Sequence, residues 1–196
     1  PLTEQRRIVG VLDEAFTGIA TAKANAGKNL KNARAIFESH LNAVFSQRGA
    51  GWVEKKLGGV CKTGSGGTPL KSRKEYYEGG NIPWLLSGEV AQGNVRAATN
   101  FITKQGLENS SARLFPEETV LVAMYGATAG QVGILRFEAA TNQAVCGIFP
   151  NKQFVAEFLF YFLLSKKEKL VAQATGNAQP NISQIKIKNT LVPILP

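Results

Sequence analysis

Aspartate and histidine are almost missing from this chain: Asp13 and His40 are the only examples among 196 residues. Both fall before residue 49, so three quarters of the chain contains neither. Hydrolytic metal clusters usually draw on Asp, zinc sites on His and Cys, and nucleophilic triads on His, so the common hydrolytic constellations are excluded there. Cysteine is scarce too. Cys61 and Cys146 stand far apart with no Cys or His near either, which excludes a disulfide framework and predicts reduced thiols in an intracellular setting. The longest apolar run, Phe154 to Leu164, is broken by Glu157 and is too short to cross a bilayer, and no charged-then-apolar leader opens the chain. The expectation is a soluble, cytoplasmic protein without membrane contact. The adjacent pair Glu117 and Glu118 follows Pro116 and precedes an apolar strand, which reads as a solvated turn rather than an acid–base pair. No Asn-Pro-Pro-Tyr tetrapeptide occurs, so methyl transfer by this chain itself is not expected. Nor is a bound metal or cofactor.

What is abundant is positive charge. The net charge is +9 and the isoelectric point about 9.7. Residues 1–49, 50–152 and 153–196 carry +3 each, so the excess is not a basic tail. Such a surface attracts polyanions over long range and releases counterions on contact, which makes nucleic acid the first partner to consider.

Residues 3 to 46 lack proline and read as one long helix, or two closely joined, with Thr3 as a candidate N-cap. Leu12, Ala15, Ile19, Ala22, Ala26, Leu30, Ala33, Phe37, Leu41 and Val44 recur at steps of three or four and line one face. Of these, Leu12, Ile19, Ala26, Leu30, Phe37, Leu41 and Val44 are the candidate helix interface. The stripe is alanine-rich in the middle, with Gly18 and Gly27 nearby, so a second helix could approach closely. Such a helix reaches roughly 60 Å, beyond a domain of the remaining residues, so a coiled-coil-like partner fits better than the chain's own core. Gln47 to Gly51 ends the pattern, dividing the chain at about residue 49 into a helical region, 1–49, and a globular domain, 50–196.

In the second region Trp52 to Lys62 suits a strand, Thr63 to Pro69 a turn, and Ile82 to Leu86 an apolar strand. Val120 to Met124 and Val132 to Phe137 read as buried strands flanking the small-residue connection Tyr125 to Gly130; Ala144 to Phe149 is another. Phe154 to Ala174 reads as a second helix, rich in lysine at Lys166, Lys167 and Lys169, and Ile182 to Ile194 as strand-like pieces. The fold class is α+β, a mixed domain behind a long N-terminal helix. The glycine run Gly64 to Pro69 lacks the Gly-Lys-Ser/Thr of a nucleotide loop and the helix-opening third glycine of a dinucleotide fingerprint, so a structural turn is favoured. Lys71, Arg73 and Lys74, with Tyr76 and Tyr77, have the composition of a phosphate clamp. Asn, Gln, Ser, Thr and Arg collect in the loops Thr99 to Arg113 and Tyr125 to Thr128, where base-edge donors and acceptors would sit.

The opening Pro1-Leu2-Thr3-Glu4-Gln5-Arg6-Arg7-Ile8-Val9, then Gly66-Gly67-Thr68-Pro69, Gly79-Gly80-Asn81-Ile82-Pro83-Trp84 within Tyr77 to Trp84, Asn142-Gln143-Ala144-Val145 and Gly176 through Gln179-Pro180-Asn181-Ile182 stand in an order and spacing that is specific as a set. That set resembles the specificity (S) subunits of type I restriction-modification systems over nearly the whole chain. The ending Leu191-Val192-Pro193-Ile194-Leu195-Pro196, joined to the beginning, would write the family's usual domain-to-helix junction. The chain thus resembles one period of a twofold repeat, helix first and target recognition domain second, whose other half is supplied by a second copy or lost by truncation or gene splitting.

The resemblance implies a non-catalytic, cofactor-free subunit that holds double-stranded DNA. It would bind methyltransferase (M) subunits, which carry S-adenosylmethionine, and work beside a restriction (R) subunit that cleaves. One domain would read half of a bipartite target in the major groove, with the helices setting the separation of the halves in a homodimer. Lys71, Arg73, Lys74 and Lys104 are the candidate phosphate contacts; Arg96, Gln105, Ser110, Arg113, Tyr125 and Thr128 are placed near bases. The alternatives are a protein-assembly adaptor without DNA affinity and a glutamate-dependent DNA-modifying enzyme.

Overall fold

The computed structural model describes residues 1–47, 49, 51–173 and 181–194. The chain divides into two units, Pro1–Gln47 and Arg48–Pro196. The first is one uninterrupted helix, α1 (Leu2–Ser46), whose 45 residues span about 68 Å. It opens on Pro1 without a side-chain cap, so Thr3 lies inside the first turn rather than capping it. Pro1 contributes its carbonyl, which accepts from Gln5 N at 3.3 Å. Glu4 and Arg7 pair one turn apart at 2.6 and 2.9 Å. No residue of α1 is buried: Leu12, Ile19, Leu30, Phe37 and Val44 each expose between 46% and 62% of their surface. A helix this apolar on one side, with Leu41 and Phe45 half-buried and the rest of its residues exposed, derives little stability from its own stripe.

The second unit contains eleven strands among the described residues: β1 (Val53–Lys56), β2 (Thr63–Ser65), β3 (Ile82–Leu85), β4 (Asn94–Val95), β5 (Phe101–Ile102), β6 (Leu114–Phe115), β7 (Val120–Ala123), β8 (Val132–Leu135), β9 (Ala139–Thr141), β10 (Val145–Ile148) and β11 (Leu191–Ile194). Five form a sheet in the order β2-β10-β7-β8-β4, four form another in the order β5-β3-β9-β6, and β1 pairs with β11 as an antiparallel ribbon. The pairs β3/β9 and β4/β8 are parallel and the rest antiparallel, so the architecture is mixed α+β. Five short α-helices among the same residues complete it: α2 (Leu57–Val60), α3 (Lys104–Glu108), α4 (Ala156–Ser165), α5 (Lys167–Ala172) and α6 (Gln184–Asn189).

Both sheets contribute to one core. Leu85, Phe115 and Ala139 of the smaller sheet meet Val95, Leu121, Ala123, Leu135 and Val145 of the larger, all essentially solvent-free. The continuous apolar runs of β7, β8 and β10 are buried at every position, as strands covered on both faces must be. Phe115 ties the layers together: its ring lies over Gly147 of β10, where any side chain would collide with it. A second cluster of Trp84, Ile102, Ala112 and Ala140 fills the other side of the smaller sheet.

Four local expectations are corrected. The helix expected at Phe154 to Ala174 is two, α4 and α5, separated at Lys166 (φ −97°, ψ 1°), while Ala174 lies outside the described residues. Ser165 Oγ donates to the Phe162 carbonyl at 2.7 Å, diverting a helical acceptor at that break. Only Val53–Lys56 of the Trp52 to Lys62 segment is a strand; α2 follows, burying Leu57. Ile182 to Ile194 contains α6 because the Ser183 hydroxyl caps it, accepting from Lys186 N. Glu118 is not a merely solvated turn residue. It adopts φ 65°, and its carboxylate takes a 2.6 Å bond from Arg136 Nη1.

Arg136 anchors three elements at once. Besides Glu118 it donates to Glu157 Oε1 at the start of α4 (2.7 Å) and to Asn94 Oδ1 of β4 (2.7 Å). Its side chain is 18% exposed, against 42% and 50% for the two glutamates. The hydrogen bond from Arg136 holds the Glu157 carboxyl below its ordinary range. Arg136→Ala is expected to cost about 1–2 kcal/mol, a modest figure because both carboxylates resolvate. The contribution of a depressed carboxyl exists above its unfolded pKa and disappears as pH falls through the folded value. Urea midpoints of the two proteins therefore differ at neutral pH and converge in acid; a constant difference would refute the ion-pair account.

Candidate nucleic-acid interface

Strand register determines which loops share an end of the larger sheet. Ala123 sits opposite Val145, Ser65 opposite Cys146, and Val122 opposite Val132. The segments after β2, before β10 and between β7 and β8 therefore leave the sheet together. They are bonded to one another. Gly67 N donates to Thr141 O (2.9 Å), Gly66 N to Val145 O (3.2 Å) and Trp84 Nε1 to Gly67 O (3.0 Å). Tyr77 Oη donates to Pro69 O (2.5 Å), and Thr68 Oγ1 to Gln143 Oε1. At the same end Ile182 N donates to Met124 O (2.8 Å) and Asn181 bridges Tyr125. The strings Gly66 to Pro69, Tyr77 to Trp84, Asn142 to Val145 and Asn181-Ile182, scattered in sequence, thus meet at one sheet end; Gly176 to Pro180 lie outside the described residues.

The segment expected as a turn over Thr63 to Pro69 begins as strand β2, Thr63–Ser65, and only Gly66 to Pro69 leave the sheet, as a bonded loop and not a phosphate cradle. A Cβ on Gly66 would stand 2.1 Å from Thr141 O, and one on Gly67 2.3 Å from Ser111 C, so both glycines exist to let backbones touch. Tyr77, whose burial pushes its phenol pKa up, anchors the loop instead of presenting a free hydroxyl.

Lys71, Arg73, Lys74, Lys104 and Gln105 are brought into one neighbourhood. The turn Lys74–Tyr76 docks on α3 through Thr103 N to Tyr76 O (2.9 Å) and Thr103 Oγ1 to Glu75 O (2.8 Å). All five side chains are exposed. Arg73 leans on Glu75 at 3.3 Å and Lys104 on Glu108 at 3.7 Å, contacts weak enough in solvent to exchange for phosphate. Lys71 and Lys74 border an open groove of about 690 Å³ floored by Trp84 and edged by the exposed Phe101. Ser110 Oγ accepts from Ala112 N (3.1 Å), leaving its O–H able to donate outward. Arg113 is exposed and lies over Gly64 of β2. Tyr125 and Thr128 occupy the β7–β8 turn, where Thr128 Oγ1 donates to Tyr125 O (3.2 Å). Arg96 is set apart. It follows β4, whose Val95 aligns with Leu135, so it emerges at the opposite end of β8 from Tyr125 and Thr128.

Sequence reasoning missed several side chains that set these loops. Glu89 gathers Leu86 N (2.8 Å), Thr99 N (2.9 Å) and Thr99 Oγ1 (3.1 Å), and Gln184 receives from Ser65 Oγ (3.3 Å) and donates to Thr63 Oγ1 (3.0 Å). The partners of Gln184 are more than a hundred residues away, so no local pattern announces them. Both thiols are buried. Desolvation lifts Cys146 to about 12 against a small opposing pull from Lys188, and lifts Cys61 against a hydrogen bond from Asn151, so neither is poised as a nucleophile.

A long helix thus precedes in sequence a two-sheet domain with bonded loops at one sheet end and basic side chains around them. Residues 50–196 match the family described as type I restriction modification DNA specificity domain, and the chain belongs to that family. Among its relatives is the type I restriction enzyme EcoR124I/EcoR124II specificity subunit of Escherichia coli, 24% identical over 198 residues that cover 98% of this chain and 48% of that protein. The MjaIX specificity subunit of Methanocaldococcus jannaschii is 29% identical over 147 residues, covering 72% of this chain and 34% of its own. This chain therefore spans about half the length of such relatives or less. Its fold matches a chain from a structure of type I restriction-modification complex assembly with a TM-score of 0.73 at 19% identity, covering all of this chain and 48% of that one. It also matches the HsdS subunit of Thermoanaerobacter tengcongensis with a TM-score of 0.60 at 18% identity, covering 100% and 47% respectively.

Proposed function

We propose that this chain is a non-catalytic DNA-reading module of a type I restriction-modification system. It recognises half of a bipartite target and scaffolds methyltransferase and restriction subunits in the cytoplasm. The observation that carries the proposal is the family match over residues 50–196. The bonded loop end and its basic surround are consistent with it. In this reading Lys71, Arg73, Lys74 and Lys104 hold phosphates. Gln105, Ser110, Arg113, Tyr125 and Thr128 read base edges directly, and Arg96, displaced to the other sheet end, meets DNA from a different side. The open stripe of α1, from Leu12 to Val44, pairs with the same stripe of a second copy, supplying the other half-site.

Two measurements on the purified chain decide this. Light scattering is expected to give a dimer, and duplex binding followed by fluorescence anisotropy is expected to weaken steeply and linearly in log salt. Arg113→Ala is expected to cost about 1–3 kcal/mol and to relax preference at one position if it reads a base. A monomer that ignores duplex DNA, even with its methyltransferase partner, would instead leave the assembly-adaptor reading.

A further inference from the structure

The lysines of the C-terminal segment belong to none of the groups above, yet the fold collects them. A groove of about 600 Å³ runs between α5, α6 and the β1/β11 ribbon, lined by Lys166, Lys169, Lys186, Gln173, Asn189 and Thr190, with Glu54 at its rim. Helix α5, which lines this groove with Lys169 and Leu170, also reaches the loop end already described. A Cβ on Gly130 would stand 3.1 Å from Lys167 Cγ and 2.8 Å from Val171 Cγ2, so α5 lies directly against the β7–β8 turn that carries Tyr125 and Thr128. Residues 153–196 hold five lysines and only two acids, Glu157 and Glu168. Glu157 is held at the far end of α4 by Arg136, which removes it from the lysines' surroundings. The Lys186 ammonium is positioned by the carbonyl of Gln173, a neutral partner that orients the cation without cancelling its charge.

We infer that Lys167, Lys169 and Lys186 form a second phosphate-binding rail, which carries the DNA backbone past the Tyr125–Thr128 turn on the side away from Lys71 and Lys74. The inference rests on the DNA-reading function proposed above. A rail on each side of the loop end fixes the register of the duplex without reading sequence, the part that phosphate contacts play. The groove's side-chain amides at Gln173 and Asn189 suit phosphate oxygens, the Thr190 hydroxyl donates to the Lys186 carbonyl at 3.2 Å, and Glu54 is the one carboxylate among the lining residues.

The test is anisotropy of a labelled duplex against the full chain across a potassium chloride series. The proteins compared are wild type, K167Q/K169Q/K186Q and the charge-conserving K167R/K169R/K186R. Three lost phosphate contacts are expected to flatten the log–log salt slope by about 2.7, equally for specific and random duplexes, with the arginine variant keeping the wild-type slope. Thermal melts of both variants separate charge loss from misfolding, since the arginine protein keeps the packing stems of these side chains. An unchanged slope in the glutamine variant overturns the rail while leaving the DNA-reading function intact. Wild type without salt-dependent binding overturns both. Normal DNA binding with lost capture of the methyltransferase partner would assign the groove to protein contact and also overturn the rail.

Discussion

Phe115→Ala is expected to cost about 3–5 kcal/mol, the range for removing a fully buried aromatic side chain. Against a total stability on the order of 5–15 kcal/mol, that loss leaves the globular unit marginal. The size of the effect follows from where the ring sits. Phe115 belongs to the smaller sheet, has no solvent exposure, packs on Phe149 at 5.2 Å between ring centroids, and covers Gly147 of the larger sheet. Truncation therefore opens a void between layers instead of at an edge, and sheets held in register by hydrogen bonds close it poorly. Urea denaturation measures the loss directly. Adding Gly147→Ala restores part of the missing volume in the Phe115→Ala background but strikes the ring in the wild type. The two changes are expected to be strongly non-additive. A loss below about 1 kcal/mol, or additive effects, would show that the ring does not join the sheets.

Gly67→Ala is the second large effect, and it bears on recognition more than on the core. A methyl group there would lie 2.3 Å from Ser111 C and 2.4 Å from Ala112 N, while the neighbouring Gly66 faces Thr141 O and Asn142 O on its other side. Backbone lies against both, so neither side can yield by rotating a side chain. Overpacking of this kind costs about 1–3 kcal/mol and displaces what it pushes on. Here that is the segment bearing Ser110 and Arg113. The expected outcome is a lowered melting temperature together with lost duplex selectivity. Gly59→Ala serves as the control. Gly59 lies within α2, and a methyl group added there would meet nothing within 4 Å, so alanine is expected to be neutral or to add up to about 1 kcal/mol. Equal behaviour of the two variants would remove the argument for close backbone contact.

Much of the architecture was legible because it rests on periodicity. The stripe from Leu12 to Val44 predicts α1 as the structure has it, and the apolar runs at Val120 and Val132 predict β7 and β8 as neighbours joined by a short connection. Periodicity failed where a single residue overrode it. Lys166 divides the expected helix into the apolar α4 and the lysine-rich α5, and the isoleucines at 182, 185, 187 and 194 suggest strand until the Ser183 hydroxyl starts a turn of helix. The candidate interface was legible in composition but not in arrangement. Lys71, Lys74 and Lys104 look alike in sequence, and the docking of the Lys74–Tyr76 turn on α3, through Thr103 and Gly106, brings them together. Arg96 looks equivalent to Arg113, yet β4 runs parallel to β8 and carries it to the far end. Arg136 drew no notice because its three partners come from separate elements.

The ribbon of β1 and β11 has a consequence for how such a domain can be handled. Val53 is paired with Ile194, so the chain enters and leaves the globular unit one strand spacing apart, about 4.8 Å. Both ends of the unit meet at this ribbon, and the two sheets with their loops lie between them in sequence. Residues 53–194 can be lifted out as a cassette and set into another chain wherever two neighbouring strands can be rejoined.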